Sequence, residues 1–282
     1  MAGSRSQAAL VTMDTPDKNK TFAWQPLTPR GVAAFASAAF GRLFVVQLVV
    51  ALLVAGVVVW FLHTAWFPSV TAAIRQLPDQ GQIRGGVLEW PGPLPAVLAE
   101  GRFLAFTVDL EHQGNARSPA HLLVDFGRND FKIFSLLGYV QSTYPRGETV
   151  AFNRRELEPW WGAWSPMFLA MAGGAVAAGL MLTWAGLATL YSGPAWLVGF
   201  FANRDAGWRA SWRLAGAALM PGGVFMAGAL LVYGFGALDL VRLAFAGVVH
   251  LVIGWGYLAA GLFSLPRHPA SLKATPNPFS RT

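Results

Sequence analysis

Four apolar stretches constrain this chain more than any other feature: Leu43 to Trp66, Met167 to Leu190, Leu214 to Phe235 and Leu240 to Leu265, with Arg242 the one charged residue among them. A helix rises about 1.5 Å per residue, so roughly 20 apolar residues cover a hydrocarbon core of about 30 Å, and each stretch is that long. The predicted fold class is a membrane α-helical protein of four transmembrane helices, with an inserted β-rich α+β extracytoplasmic domain after the first. With 54% of residues hydrophobic and 12% charged, lipid suits most of this surface better than water.

The net charge of +7 resides at the polar ends of the apolar stretches and forms no dense basic run, which argues against nucleic acid as a partner and for orientation in a lipid bilayer. Residues 1–42 carry +3, the connection at 200–213 carries +2 and the tail after Leu265 carries +3, whereas residues 67–164 set nine basic against ten acidic side chains. The positive-inside rule then places both termini in the cytoplasm and residues 67–164 outside, as expected for a multi-pass protein of a bacterial inner membrane. The chain contains no cysteine, so a periplasmic domain here relies on its own core or on docking.

The expected organisation is a cytoplasmic segment (1–42), a first span read as a retained signal anchor (43–66), the extracytoplasmic domain (67–164), a three-helix bundle (165–265) with a cytoplasmic interfacial segment (191–213), and a cytoplasmic tail (266–282). The first 25 or so residues read as loosely held. A helix starting near Thr28-Pro29 and running to Arg42 is either an interfacial lead-in or the first span extended. In the outer domain, strands are predicted at Gln82 to Trp90, Phe103 to Leu110, His121 to Asp125, Phe131 to Leu137 and Glu148 to Phe152, with turns at Pro91-Gly92-Pro93, Gly114-Asn115 and Gly127 to Asp130. Leu104, Phe106, Val108 and Leu110 form one fully apolar strand face, and Leu94 to Glu100 reads as a helical turn or two.

Several residues stand out as candidates. Trp160, Trp161 and Trp164 cluster where the chain re-enters the bilayer, and Trp208 and Trp212 alternate with Arg209 and Arg213 at helical spacing. Both sets are read as membrane-interface anchors, the second on a helix lying along the inner leaflet. On the fourth span Gly247, His250, Gly254, Tyr257 and Gly261 share one face, a packing seam for which Ala170, Gly174 and Ala178 are the expected partner. His250 on that face is a neutral hydrogen-bonded imidazole or a site on a path. Pro221, Gly222 and Gly223 are expected to weaken or kink the third span as a candidate hinge. In the outer domain, a hairpin between the strands ending at Asp109 and starting at His121 would gather Asp109, Glu111, His121 and Asp125 as nitrogen and oxygen ligands, although their spacing fits no metal motif. HExxH, a GxSxG triad, a Walker A loop and a dinucleotide fingerprint are all absent, so no enzyme, cofactor or metal is expected.

Ser211-Trp212-Arg213, Ala217 to Pro221 and Trp255 to Leu258, together with the span order, resemble uncharacterised bacterial inner-membrane families that combine one N-terminal span, an extracytoplasmic domain and a three-span C-terminal group. The resemblance covers about 55 residues and implies architecture alone. The expected function is a non-enzymatic accessory, scaffold or sensor subunit whose outer domain docks a membrane or periplasmic protein partner or an envelope ligand. The alternative is a small transporter or lipid-handling protein using the bundle of spans two to four.

Overall fold

A computed structural model of the protein describes residues 24–114 and 118–267. The segments expected to be loosely held at the N-terminus, all but the first two residues of the tail (266–282), and Asn115 of the Gly114-Asn115 turn lie outside the described residues.

Four helices are long and apolar enough to cross a membrane: Phe40–Gln76, Arg154–Phe201, Trp208–Gly234 and Leu240–Phe263. The first comprises α2 (Phe40–Phe61), a π-turn (Leu62–Trp66) and α3 (Phe67–Gln76), and it follows a short α1 (Pro29–Ala34). Thr28 caps α1 by accepting from the Gly31 N–H at 3.1 Å, and Pro29 occupies the first turn, where no N–H is needed. The π-turn has a local cause: Pro68 offers no N–H to continue the ladder, and just before it the Phe67 N–H reaches back five residues to the Leu62 carbonyl.

The second long helix, α4 (Arg154–Phe201), has 48 residues and so runs about 72 Å, more than twice the hydrocarbon thickness. Only the turn at 202–207 separates it from α5 (Trp208–Ala218), so residues 191–213, expected as an interfacial segment, are mostly the end of one long helix and the start of the next. The apolar run at 193–201 had no length to span by itself, yet it simply extends α4. Leu219 interrupts the path from α5 into α6 (Met220–Gly234); Pro221 cannot donate to the Ala217 carbonyl and crowds it, while Gly222 and Gly223 stay helical. Asp239 accepts from the Arg242 N–H at 2.7 Å and so caps α7 (Leu240–Phe263).

The chain divides into two compact units. One gathers residues up to Gln47, Trp184–Pro221 and Ile253 onward, with Leu43, Leu214, Ala215 and Met220 fully buried. Gln47 donates to the Gly216 carbonyl at 3.0 Å there, and Arg213 to the Ala36 carbonyl at 2.5 Å.

The other unit holds Leu48–Thr183 and Gly222–Val252, and includes both β-sheets. A three-stranded sheet runs β2 (Val87–Glu89), β1 (Gln82–Arg84), β8 (Val150–Ala151). The single strand expected at Gln82 to Trp90 is a hairpin, because Gly85 and Gly86 adopt φ +62° and +82° and make the two-residue turn that such positive angles allow. A five-stranded sheet runs in sequence order through β3 (Ala96–Glu100), β4 (Leu104–Val108), β5 (Leu122–Phe126), β6 (Asp130–Ser135) and β7 (Gly138–Thr143). β3 replaces the helical turn expected at Leu94 to Glu100, its Leu98 and Ala99 being drawn into the core. β7 escaped the sequence reading since all six of its residues are exposed and leave no apolar alternation to detect. The apolar face of β4 does bury its Val108 against Ala73, Leu77, Leu88 and Phe152, with Phe106 and Leu110 packed alongside.

Two helices of this unit approach closely at Gly222, where an added Cβ would lie 2.6 Å from the His250 carbonyl oxygen, while one at Gly247 meets nothing within 4 Å. Gly222→Val should therefore lower the thermal unfolding midpoint of the detergent-solubilised protein, at a cost of about 1–3 kcal/mol, whereas Gly247→Ala should leave it unchanged. Equal midpoints for the two variants would show that the Gly222 contact is not needed.

Candidate functional site

The β4–β5 pair is parallel, unlike its neighbours. Parallel strands need a crossover, and here residues 109–121 supply one, with no helix among its described residues. This removes the premise for gathering Asp109, Glu111, His121 and Asp125. Asp109 pairs beside Phe126 at one end of the strands, and His121 donates its backbone N–H to the Arg102 carbonyl at the other, about 17 Å away along β5. Glu111 is exposed and pairs with Arg128 at 3.0 Å. Among the described residues no three His, Cys, Asp or Glu side chains are disposed to hold a metal.

What the crossover does bring in is His112. It adopts φ +49°, uncommon for a residue with a side chain, and its ring lies over the polar face of the sheet. Nδ1 meets Asp125 Oδ2 and Nε2 meets Asp130 Oδ1, each at 2.6 Å, with the imidazole side chain only 13% exposed. Thr107 donates to the other oxygen of Asp125 at 2.7 Å, and Gln141 donates to the other oxygen of Asp130. Gly127 makes room, because any Cβ there would overlap the ring. Burial pulls the His112 pKa down, but the hydrogen bonds to both carboxylates outweigh it and raise it above 6.5. For Asp130 burial pushes upward, and the bonds from His112 and Gln141 prevail and hold it below 3.8. Burial, with the two carboxylates behind it, lifts the Tyr144 phenol, which donates to the Gly127 carbonyl at 3.0 Å. With both ring nitrogens on carboxylates, the imidazolium has no lone pair for base catalysis and acts as a charged clamp.

Beside the clamp lies a cleft of about 740 Å³, floored by Leu123, Asp125 and Phe134 and walled by the crossover and the start of α7. It shares His121, Ser135, Leu136 and Leu240 with an apolar cleft of about 310 Å³ that reaches Phe61, Trp66, Tyr233 and Leu243. His121 Nδ1 and the Tyr233 hydroxyl share a hydrogen bond of 2.5 Å, and their rings stack with centroids 5.4 Å apart. Phe103 closes the cluster, 5.6 Å from His121 and 5.0 Å from Tyr233. Burial, then the nearby Arg102 charge, lowers the His121 pKa, so this imidazole is neutral at pH 7. Asp130 and the clamping role of His112 went unread in the sequence, where Asp130 looked like a turn residue. The one available signal was a carboxylate, Asp125, at an inward strand position.

The other residues singled out are placed elsewhere. Trp161 packs on α3, its ring 4.8 Å from Phe67 and its N–H donating to Thr71 at 3.0 Å, while Trp160 and Trp164 are about half exposed. Trp208 and Arg209 are exposed, but Trp212 donates to Thr189 at 3.0 Å and Arg213 is tied to Ala36. α5 buries Ser211 and Leu214 to Ala218. Gly254 and Gly261 pack near Leu219 and against Leu214 and Val32, whereas Gly174 meets nothing within 4 Å, so the expected Ala170, Gly174 and Ala178 partner is not the one used. Tyr257 donates to the Leu27 carbonyl at 2.8 Å, and His250 Nδ1 bonds to the Gly247 carbonyl of its own helix. Gln47, with its buried amide, was overlooked in an otherwise apolar span.

The clamp makes a signed pH prediction. A raised His112 pKa contributes stability that is complete below 6.5 and is lost as pH rises through the folded value; a depressed Asp130 pKa contributes stability present above 3.8 and lost as pH falls through its folded value. The detergent-solubilised protein should therefore unfold at higher temperature at pH 6 than at pH 8.5, and His112→Gln should flatten that difference; an unchanged slope would mean that the clamp does not set it. No protein-family model, curated protein or solved structure matches this chain.

Proposed function

We propose that the chain is a non-enzymatic accessory, scaffold or sensor subunit of a bacterial inner membrane, with four spans, both termini cytoplasmic and residues 67–164 outside, docking an extended segment of an extracytoplasmic protein. Bilayer placement is supported by the two least packed helices. In α4 and α7 the most apolar stretch is only 11% buried, and such a surface is tolerated in lipid and not in water. The distribution of basic residues supports the orientation.

The observation that carries docking is the free edge at β7. It ends the five-stranded sheet, all six residues are exposed, and Gly138-Tyr139-Val140-Gln141-Ser142-Thr143 contains no charge and no proline. Soluble edges are normally blunted by charges, proline or bulges, and the opposite edge, β3, does carry a bulge between Val97 and Ala99. An unblunted edge suits strand addition, in which backbone hydrogen bonds give affinity and alternate side chains give selectivity. Transport along the His250 face, the alternative reading, gains no support where Gly222 abuts the His250 backbone.

A photo-crosslinking residue at Tyr139, 60% exposed, should capture one protein in intact cells. Val140→Lys combined with Ser142→Lys should abolish that adduct while leaving the amount of protein in the membrane unchanged. Tyr139 giving no protein adduct, or an adduct indifferent to the two lysines, would sink the docking reading.

A further inference from the structure

We propose that the two joined clefts bind an acyl amphiphile from the outer leaflet, with its chain among Phe61, Trp66 and Leu243 and an uncharged, hydroxyl-bearing head beside His121. The inference goes beyond protein docking and rests on the bilayer placement above.

Adjacency comes first. The clefts share His121, Ser135, Leu136 and Leu240 as lining, and the smaller of the two is the more apolar. The apolar end is lined from the outer turns of three apolar helices, by Phe61, Trp66, Leu230, Tyr233, Leu240 and Leu243. Water held there would find few of the two to four polar partners it needs, whereas a hydrocarbon chain finds a ready surface. The turn between β6 and β7 forms one lip, and its Leu137 is 96% exposed, so an apolar side chain stands at the mouth with nothing from the protein over it.

The head chemistry follows from the groups at the join. Neutral His121 uses Nδ1 for Tyr233, and Nε2 has no partner among the described residues, which leaves one hydrogen-bonding site for a ligand. Two carboxylates line the polar end: Asp125 is held by His112 and Asp239 by Arg242. Among the described residues no lysine or arginine lines either cleft. Arg102, nearby, lies over the Phe103 ring at 5.6 Å and donates to the Leu238 carbonyl at 3.4 Å. Against the described lining groups a phosphate would thus meet carboxylates and no cation, while a hydroxyl head can both donate and accept.

The test uses the full-length protein in its membranes with a monoacylglycerol carrying a diazirine in the acyl chain. Labelling should map to residues 61–66 and 240–244, and fall roughly tenfold, about 1.4 kcal/mol, in Ala244→Trp, which fills the apolar end. Leu136→Ser, on an exposed turn, should reduce labelling without burdening the fold. Unlabelled monoacylglycerol should compete at lower concentration than lysophosphatidic acid, and His121→Leu should erase that preference. Labelling indifferent to both cleft variants, or equal competition by the two lipids in the unaltered protein, overturns the proposal. Protein released from the same membranes by alkaline carbonate overturns the bilayer placement instead; protein retained there with cleft-independent labelling overturns the cleft alone.

Discussion

A parallel strand pair at the centre of an otherwise antiparallel sheet requires a long connection, and this one, with no helix among its described residues, needs something to hold it down. In this chain the connection is held by one imidazolium between two carboxylates that the sheet presents on neighbouring strands, β5 and β6. Each partner makes the others tenable. Asp125 and Asp130 would be costly to shield from water without the cation, and His112 would not be held in its left-handed backbone conformation without them. The polar face of the sheet is thereby roofed, and the same roof becomes a wall of the cleft.

Periodicity made the long-range plan legible. Four apolar runs and an inserted region of alternating strands appear in the structure as four long apolar helices and two sheets. Of the apolar face read from Leu104, Phe106, Val108 and Leu110, Val108 is buried in the core with Phe106 and Leu110 packed against it. Hydropathy is averaged over many residues, so it survives local exceptions. It also misplaces ends: the run at 193–201 is too short to span alone, yet it needs no independent reason to be helical once α4 has arrived at it.

The site was much less legible, because it depends on strand direction and on single hydrogen bonds. Gly114-Asn115 suggests a hairpin, but a turn signal does not say which way the chain leaves. With the strands parallel, Asp109 and His121 are carried to opposite ends and His112 is folded inward. Asp130, in a run that also contains Gly127 and Asn129, looks like turn chemistry, and only the β5–β6 register turns it toward the ring. The glycines behave similarly. Gly254 and Gly261 are packing positions, as their spacing suggests, but spacing on one helix does not name the helix opposite.

The π-turn at Leu62–Trp66 amounts to one surplus residue wound into the wall of a continuous helix. Deleting one residue there would let the helix regain its ordinary pitch, and everything beyond would turn by about 100°. Ala73 and Ile74, which α3 buries, would swing away from the sheets, and Trp66 would leave the cleft. The rotational phase between the first long helix and the sheets is therefore written in a count of residues, and Pro68 keeps that count from being annealed away.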